Sequence, residues 1–283
     1  MSSATPETVS VPPMSSLNGY KTSVSYKPHR TGLKTSTTHP INISWILPEE
    51  LIRGVSDGPL PASIDLYDIY TTTSLYKRYR KPTQSAGGRG GSECSSNEMG
   101  FGNLALSSCP GKKVRLSGPV RGRSAIDRDI DLDFQRLRSC GISLVVCCLN
   151  DEELAFLGAP WSIYADAARR YDLDIIRRPM IEGGCPDTVE QMDEVIKKMD
   201  THIQQNERVL AHCRGGVGRA GLVACCWLLK RGYCYDANKA IRLVRMRRSP
   251  KAIETLMQED FIRKYADYVQ QKLKPTEGNA IYS

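Results

Sequence analysis

The segment VLAHCRGGVGRAG, residues 209–221, puts a thiol, a guanidinium and three glycines where all can meet one anion. Cys213 ends an apolar, β-branched run that reads as a buried strand, and five residues separate it from Arg219, which reads as the start of a helix. Gly215, Gly216 and Gly218 let the intervening loop curl so that successive N–H groups point inward. With the positive end of the helix they make an anion cradle. Arg214 and Val217 complete the candidate phosphate-binding residues, and Arg219 offers a planar, two-pronged donor for two phosphate oxygens. The same field favours the thiolate form of Cys213, which is the nucleophile.

Displacing an ester oxygen from phosphorus also needs a proton donor. The loop IEGGCPD, residues 181–187, offers Glu182 and Asp187. Asp187 fits a helix N-cap as well, with Glu190 three positions on, while Glu182 sits on the glycine-flanked part of a loop able to swing over a bound phosphate. Gln258, in Thr255-Leu256-Met257-Gln258, fits a capping box for the last helix. His212 reads as a hydrogen-bond partner that shapes the loop rather than as a base.

The elements expected to position these groups alternate between helix and strand, the pattern of an α/β domain with a mainly parallel sheet. IDLDFQRLRSCG, WSIYADAARRY, the stretch from Asp187 to about Ile203, Arg219 to Lys230, about Ala237 to Met246 and about Leu256 to Leu273 read as helices. SLVVCCL, DIIRR and ERVLAHC read as strands. Residues 1–39, rich in Ser, Thr and Pro, read as a disordered tail; 40–54 as an N-terminal arm; 55–107, with KRYRK and GGRGG, as a loop-like insertion; 108–273 as the catalytic domain; and 274–283 as a second tail.

His212-Cys213, five residues and Arg219 resemble the phosphate-binding signature of cysteine-dependent dual-specificity protein phosphatases. INISWI, LRSCGISLVV, PMIEGGCPD, HCRGGVGRAG and AIETLMQEDFI resemble, in order, segments of the kinase-associated branch of that family. The resemblance spans about residues 41–54 and 106–273. It implies a protein tyrosine phosphatase-like α/β fold, with a central, mainly parallel sheet flanked by helices on both faces. It also implies attack by Cys213 on phosphorus, a phosphocysteine intermediate and no metal or cofactor. The implied substrate is phosphothreonine, with phosphotyrosine as a second, on a cyclin-dependent kinase or similar phosphoprotein partner. The family's acid position falls on Glu182, where Asp is usual, and Gln258 matches a glutamine that orients the hydrolytic water. Ala220 stands where a hydroxyl usually steadies the departing thiolate, so a low-activity phosphate-binding kinase partner is one alternative. A phosphoinositide phosphatase is the other.

Composition agrees with an ordinary folded protein. The 283 residues are 40% apolar and 25% charged, which argues against collagenous, wholly disordered or disulfide-scaffold classes. The longest strongly apolar stretch, Leu222 to Leu229, is far short of the ~20 residues of a membrane span. The N-terminus has neither basic head nor apolar core, so the expected location is cytoplasmic, with KRYRK as a candidate nuclear address. In that setting the ten cysteines are expected as free thiols, and Cys147-Cys148 and Cys225-Cys226 as core residues without a metal. The net charge of +8 is concentrated between Lys230 and Lys251, where eight basic residues face Asp236 alone. That run suits an acidic partner or a solvated helix face, and nucleic acid is not required.

Overall fold

ISLVVC and RVLAHC have the unbroken apolar character of strands covered on both faces, and they pair side by side inside the sheet. The computed structural model of the chain describes residues 32–56, 60–61, 63–81 and 101–273. In chain order these hold β1 (Lys34–Thr35), β2 (Ser44–Trp45), α1 (Glu49–Ser56), α2 (Leu66–Thr71), α3 (Thr73–Tyr79), β3 (Asn103–Ser108), β4 (Lys113–Val114), β5 (Ile126–Asp127) and α4 (Ile130–Ser139). There follow β6 (Ile142–Cys147), α5 (Asp151–Phe156), α6 (Trp161–Arg170), β7 (Asp174–Arg177), α7 (Val189–Gln204), β8 (Arg208–Cys213), α8 (Arg219–Lys230), α9 (Ala237–Arg247) and α10 (Leu256–Leu273).

The main sheet runs β2-β3-β8-β6-β7, with β2 antiparallel and the other pairings parallel. Its register sets Ser108 of β3 beside Cys213, and Cys147 of β6 beside His212. Helices α4–α6 pack together as one layer and α7–α10 as another, flanking the sheet on its two faces. From Arg219 to Leu229, α8 is buried all round, as a helix without a polar face must be. A small second sheet, β1-β5-β4, lies in the segment preceding α4. Among the described residues, no helix is long and apolar enough to cross a membrane.

Two segments read as irregular are ordered elements. In the span 55–107, α2 buries Leu66 and Ile69, and β3 is a full strand of the main sheet. Helices of six and seven residues have too few turns for an apolar period to show. Asp65 and Asp68 secure α2 through Lys239 of α9, at 3.1 and 2.7 Å. Within the span read as a tail, β1 pairs with β5, and Ser36 donates to the buried Asp133 at 2.8 Å. The GGRGG run, residues 1–31 and residues 274–283 lie outside the described residues.

Asp193 locks the helix layer behind the phosphate loop. Its buried carboxylate, on α7, accepts from Tyr265 and Tyr268 of α10 at 2.9 and 3.3 Å and pairs with Lys230 of α8 at 2.9 Å and with Lys197 at 3.0 Å. Burial alone would raise its pKa, but the hydrogen bonds from Lys230, Lys197 and Tyr265 prevail and hold it at about 2. A carboxyl depressed below its ordinary ~3.9 stabilises the fold above that pH, and the contribution fades as pH falls through about 2. Asp193→Asn is therefore expected to lower stability by about 2 kcal/mol at neutral pH and by much less near pH 2. Urea melts of both proteins at the two pH values check this, and an equal loss at both pH values rejects it.

Candidate active site

The chain turns sharply between β8 and α8, and the sequence there leaves little alternative. Gly216 has φ 69°, and a Cβ on it would lie 2.0 Å from the carbonyl oxygen of Ser107, so only glycine fits. Its N–H donates to the Cys213 thiol at 3.2 Å. The loop carbonyls are held by cations: Arg248 donates to Gly216 O at 2.8 Å and Gly215 O at 3.0 Å, and Lys112 to Arg214 O at 3.0 Å. Val217 O accepts from Ile253 N at 3.4 Å. With its carbonyls engaged in this way, the loop is anchored from residue 214 to 217 before any ligand arrives.

Arg219 is almost fully buried and aimed by α5. Glu153 grips its two terminal nitrogens at 2.7 and 2.8 Å, and Met180 O accepts a third bond at 2.7 Å. Burial disfavours the guanidinium charge, but the Glu153 hydrogen bonds overcome it and raise the pKa. Glu153 is itself placed by the cap of α5, where the Asn150 side chain accepts from Glu153 N at 2.8 Å. It was absent from the expected site because 66 residues separate it from its partner; the only sequence signal is an acidic first turn, which many helices share.

A cavity of about 340 Å³ opens over the loop, lined by Cys213, Arg214, Gly215 and Arg219, by Glu182 and Glu254, and by Lys112, Val114, Arg115 and Arg123. Of the two expected carboxylates, Glu182 lies on this wall, 3.2 Å from Arg214. Asp187 is exposed and does not line the cavity. Nor does Asp187 cap α7: Thr188 does, its hydroxyl accepting from Gln191 N at 3.3 Å. Either residue type caps a helix, and the path of the loop decides between neighbours.

That path is tied to α10. Thr255 donates to Gly183 O at 2.7 Å and caps the helix by accepting from Gln258 N at 3.2 Å. The Gln258 side chain, fully buried, donates to Gly184 O at 3.0 Å and accepts from Glu254 N at 2.9 Å. It is thus a loop anchor beside the cap, and it lies against Gly218 of the phosphate loop.

The remaining titratable groups are set by burial. His212 is fully buried, shares a 2.7 Å hydrogen bond with the Tyr164 hydroxyl, and has its pKa pushed down to about 3 by burial, so it is neutral. Burial pushes the Cys147 thiol up to about 11 and raises those of Cys109, Cys148, Cys225 and Cys226 as well. These thiols are core residues, and among the described residues no group of three or more His, Cys, Asp or Glu is placed to hold a metal ion.

The basic run from Lys230 to Lys251 is mostly neither a partner surface nor a solvated face. Lys230, Arg231, Lys239 and Arg245 pair with Asp193, Asp200, Asp65 and Asp68, and Glu259 respectively. Arg247 donates to Trp45 O at 3.0 Å, and Arg248 holds the phosphate loop. Only Arg242 and Lys251 remain exposed without an ionic partner among the described residues.

Comparison with known proteins agrees with this architecture. A family model described as "Swiss Army Knife protein, DSP-PTPase phosphatase domain" matches residues 124–262. The chain is 30% identical over 178 residues to cyclin-dependent kinase inhibitor 3 of Sus scrofa, a match covering 63% of this chain and 77% of that protein. It is 27% identical over 180 residues to the Homo sapiens protein of the same name, covering 64% and 78%. A solved structure of kinase-associated phosphatase, with its catalytic-site cysteine replaced by serine, superposes with a TM-score of 0.53 at 26% identity, covering 59% of this chain and 88% of that one. A cysteine–arginine phosphate loop on this fold, in a chain that matches more than three quarters of such a relative, makes the protein a member of the dual-specificity phosphatase family of cysteine-dependent protein phosphatases.

Proposed function

We propose that the enzyme hydrolyses phosphothreonine, with phosphotyrosine as a second substrate, on a cyclin-dependent kinase through a phosphocysteine intermediate. The observation that carries the reading is the Cys213 thiol at the base of a cation-lined cavity, with Arg219 already aimed by Glu153. The kinase assignment rests on the name of the relatives, cyclin-dependent kinase inhibitor 3.

In the first step the Cys213 thiolate attacks phosphorus while Arg219 and the loop amides hold the phosphoryl oxygens. The P–O bond to the substrate breaks, and Glu182 gives its proton to the leaving oxygen. In the second step water attacks the phosphocysteine, Glu182 takes the proton back, and the S–P bond breaks to return thiolate and inorganic phosphate. The family resemblance assigns Gln258, which lies against Gly218, to orient that water. Ala220 supplies no hydroxyl, which leaves the Gly216 N–H as the hydrogen-bond donor to the departing thiolate.

The test compares a phosphothreonine peptide, whose alkoxide leaving group needs a proton, with an activated aryl phosphate, which needs little. Glu182→Gln is expected to lower kcat on the peptide by about a hundredfold and on the aryl phosphate by less than about tenfold. Asp187→Asn is expected to leave both rates near wild type. The reverse pattern moves the acid to Asp187, and failure of the wild-type enzyme to hydrolyse either substrate refutes the reading.

A further inference from the structure

Resting on the phosphatase reading above, we propose that Lys112, Arg115 and Arg123 form a second anion subsite beside the phosphate loop, which selects phosphopeptides carrying another negative group next to the scissile phosphate. All three line the same cavity as Cys213. They come from one segment of chain, running from the residue before β4 to the turn before β5, so one arm supplies a wall of the pocket.

Among the cations that line the cavity, the pattern of ion pairing singles these residues out. Their neighbours are matched: Lys113 pairs with Asp127 at 2.6 Å, and Arg128 with the buried Asp133 at 3.3 Å. The loop arginines are matched too, Arg214 to Glu182 and Arg219 to Glu153. Among the described residues, no carboxylate pairs with Lys112, Arg115 or Arg123. A phosphate bound over Cys213 is served by Arg219 and the loop amides, which leaves Arg115 and Arg123 facing the cavity, beside Lys112, one of whose donors holds Arg214 O, and with Glu254 as the one lining carboxylate not already paired. Like charges gathered on a concave wall repel one another, and an anion relieves that repulsion.

The backbone of the arm points the same way. Arg115 has φ 58°, in the left-handed region that a non-glycine residue adopts at a cost, and its Nε donates to Ser124 O at 2.9 Å across the arm. That hook fixes Arg115 in the wall. The Lys112 pKa is lowered, first by burial and then by the charges of Arg128 and Arg115, so Lys112 senses the Arg115 charge.

A peptide suits the site better than a charged membrane. Glu182 and Glu254 occupy the same cavity wall as the phosphate loop, and they repel a flat anionic surface while leaving the arm free to receive one acidic group. The substrate is thereby oriented, with its anionic flank towards residues 112–123.

The experiment uses the full chain and two phosphothreonine peptides that differ only in one flanking residue, Glu or Gln, with a doubly phosphorylated peptide as a third. The acidic and doubly phosphorylated peptides are expected to have kcat/KM about tenfold above the neutral one at low salt, with the ratio shrinking as salt is raised. Arg115→Gln with Arg123→Gln is expected to bring the ratio to about one, and Arg115→Lys with Arg123→Lys to restore most of it. Arg123 is exposed, so Arg123→Gln alone, expected to lower the ratio part of the way, guards against misfolding of the arm. Equal rates on the peptides, or a preference unchanged in the double Gln variant, overturn the subsite while hydrolysis itself stands. Absence of hydrolysis on every peptide and on an aryl phosphate overturns the underlying phosphatase reading instead. Faster cleavage of a soluble inositol bisphosphate than of any peptide overturns the peptide assignment.

Discussion

Cys213→Ser is expected to reduce phosphopeptide hydrolysis more than about a hundredfold while leaving phosphopeptide binding within about threefold of wild type. The Cys213 sulfur lines the cavity as the nucleophile of the proposed reaction, and a serine hydroxyl is a far weaker nucleophile in the same place. Apart from the Gly216 N–H, which donates to the sulfur and can donate equally to a serine oxygen, the cradle is held by other groups. Arg248 and Lys112 hold the loop carbonyls, and Glu153 and Met180 O hold Arg219. Serine is close to cysteine in volume, so the loop has no reason to collapse. Single-turnover hydrolysis and peptide titration on the same preparation separate the two effects. Residual turnover above about a hundredth of wild type removes Cys213 from the nucleophile's role.

Arg219→Lys is expected to lower kcat by about a hundredfold to a thousandfold, because a donor aimed at charge developing in a dry site is worth roughly 2 to 4 kcal/mol. The charge is retained in this variant, so the loss reads geometry. A lysine ammonium is a point donor that cannot satisfy both oxygens of Glu153, Met180 O and a phosphoryl group at once, whereas the guanidinium does so by having two faces of its fork. Glu153→Gln makes the complementary test. It keeps the arginine and removes only the carboxylate that aims it, so the expected loss is about tenfold, larger in kcat than in KM. Near-normal kcat in Arg219→Lys rejects the two-pronged role, and a Glu153→Gln enzyme indistinguishable from wild type rejects the aiming.

The parts of the site legible in the sequence are those whose geometry is local. Seven residues, Cys213 to Arg219, contain the thiol, the glycines that allow the turn and the arginine that opens the helix. The apolar runs of β6 and β8 likewise report burial on both faces through their own composition. Elements of six or seven residues left no such trace, which is why α2 and α3 read as loop until Lys239 and the core supplied their partners.

Charge was the least legible property. The run from Lys230 to Lys251 looks like a basic surface in one dimension, yet four of its eight cations meet carboxylates and two hold backbone carbonyls. The cavity's positive field comes instead from Lys112, Arg115, Arg123, Arg214 and Arg219. The cap of α7 passed from Asp187 to Thr188 because Thr255 and Gln258 pin the preceding loop.

By itself, then, the sequence determined the Cys213–Arg219 loop, with Cys213 as its candidate nucleophile, and the strand and helix that flank it, since a strand, a glycine turn and a helix are each specified by neighbours along the chain. Only the tertiary structure decided that Glu153 aims Arg219, that Arg248 holds the loop, that Glu182 faces the cavity and Asp187 does not, and that the 112–123 arm walls the pocket. Those contacts join residues tens of positions apart, and their partners are chosen by the register of β3, β8 and β6 and by the packing of helices on that sheet, which no local pattern of side chains encodes.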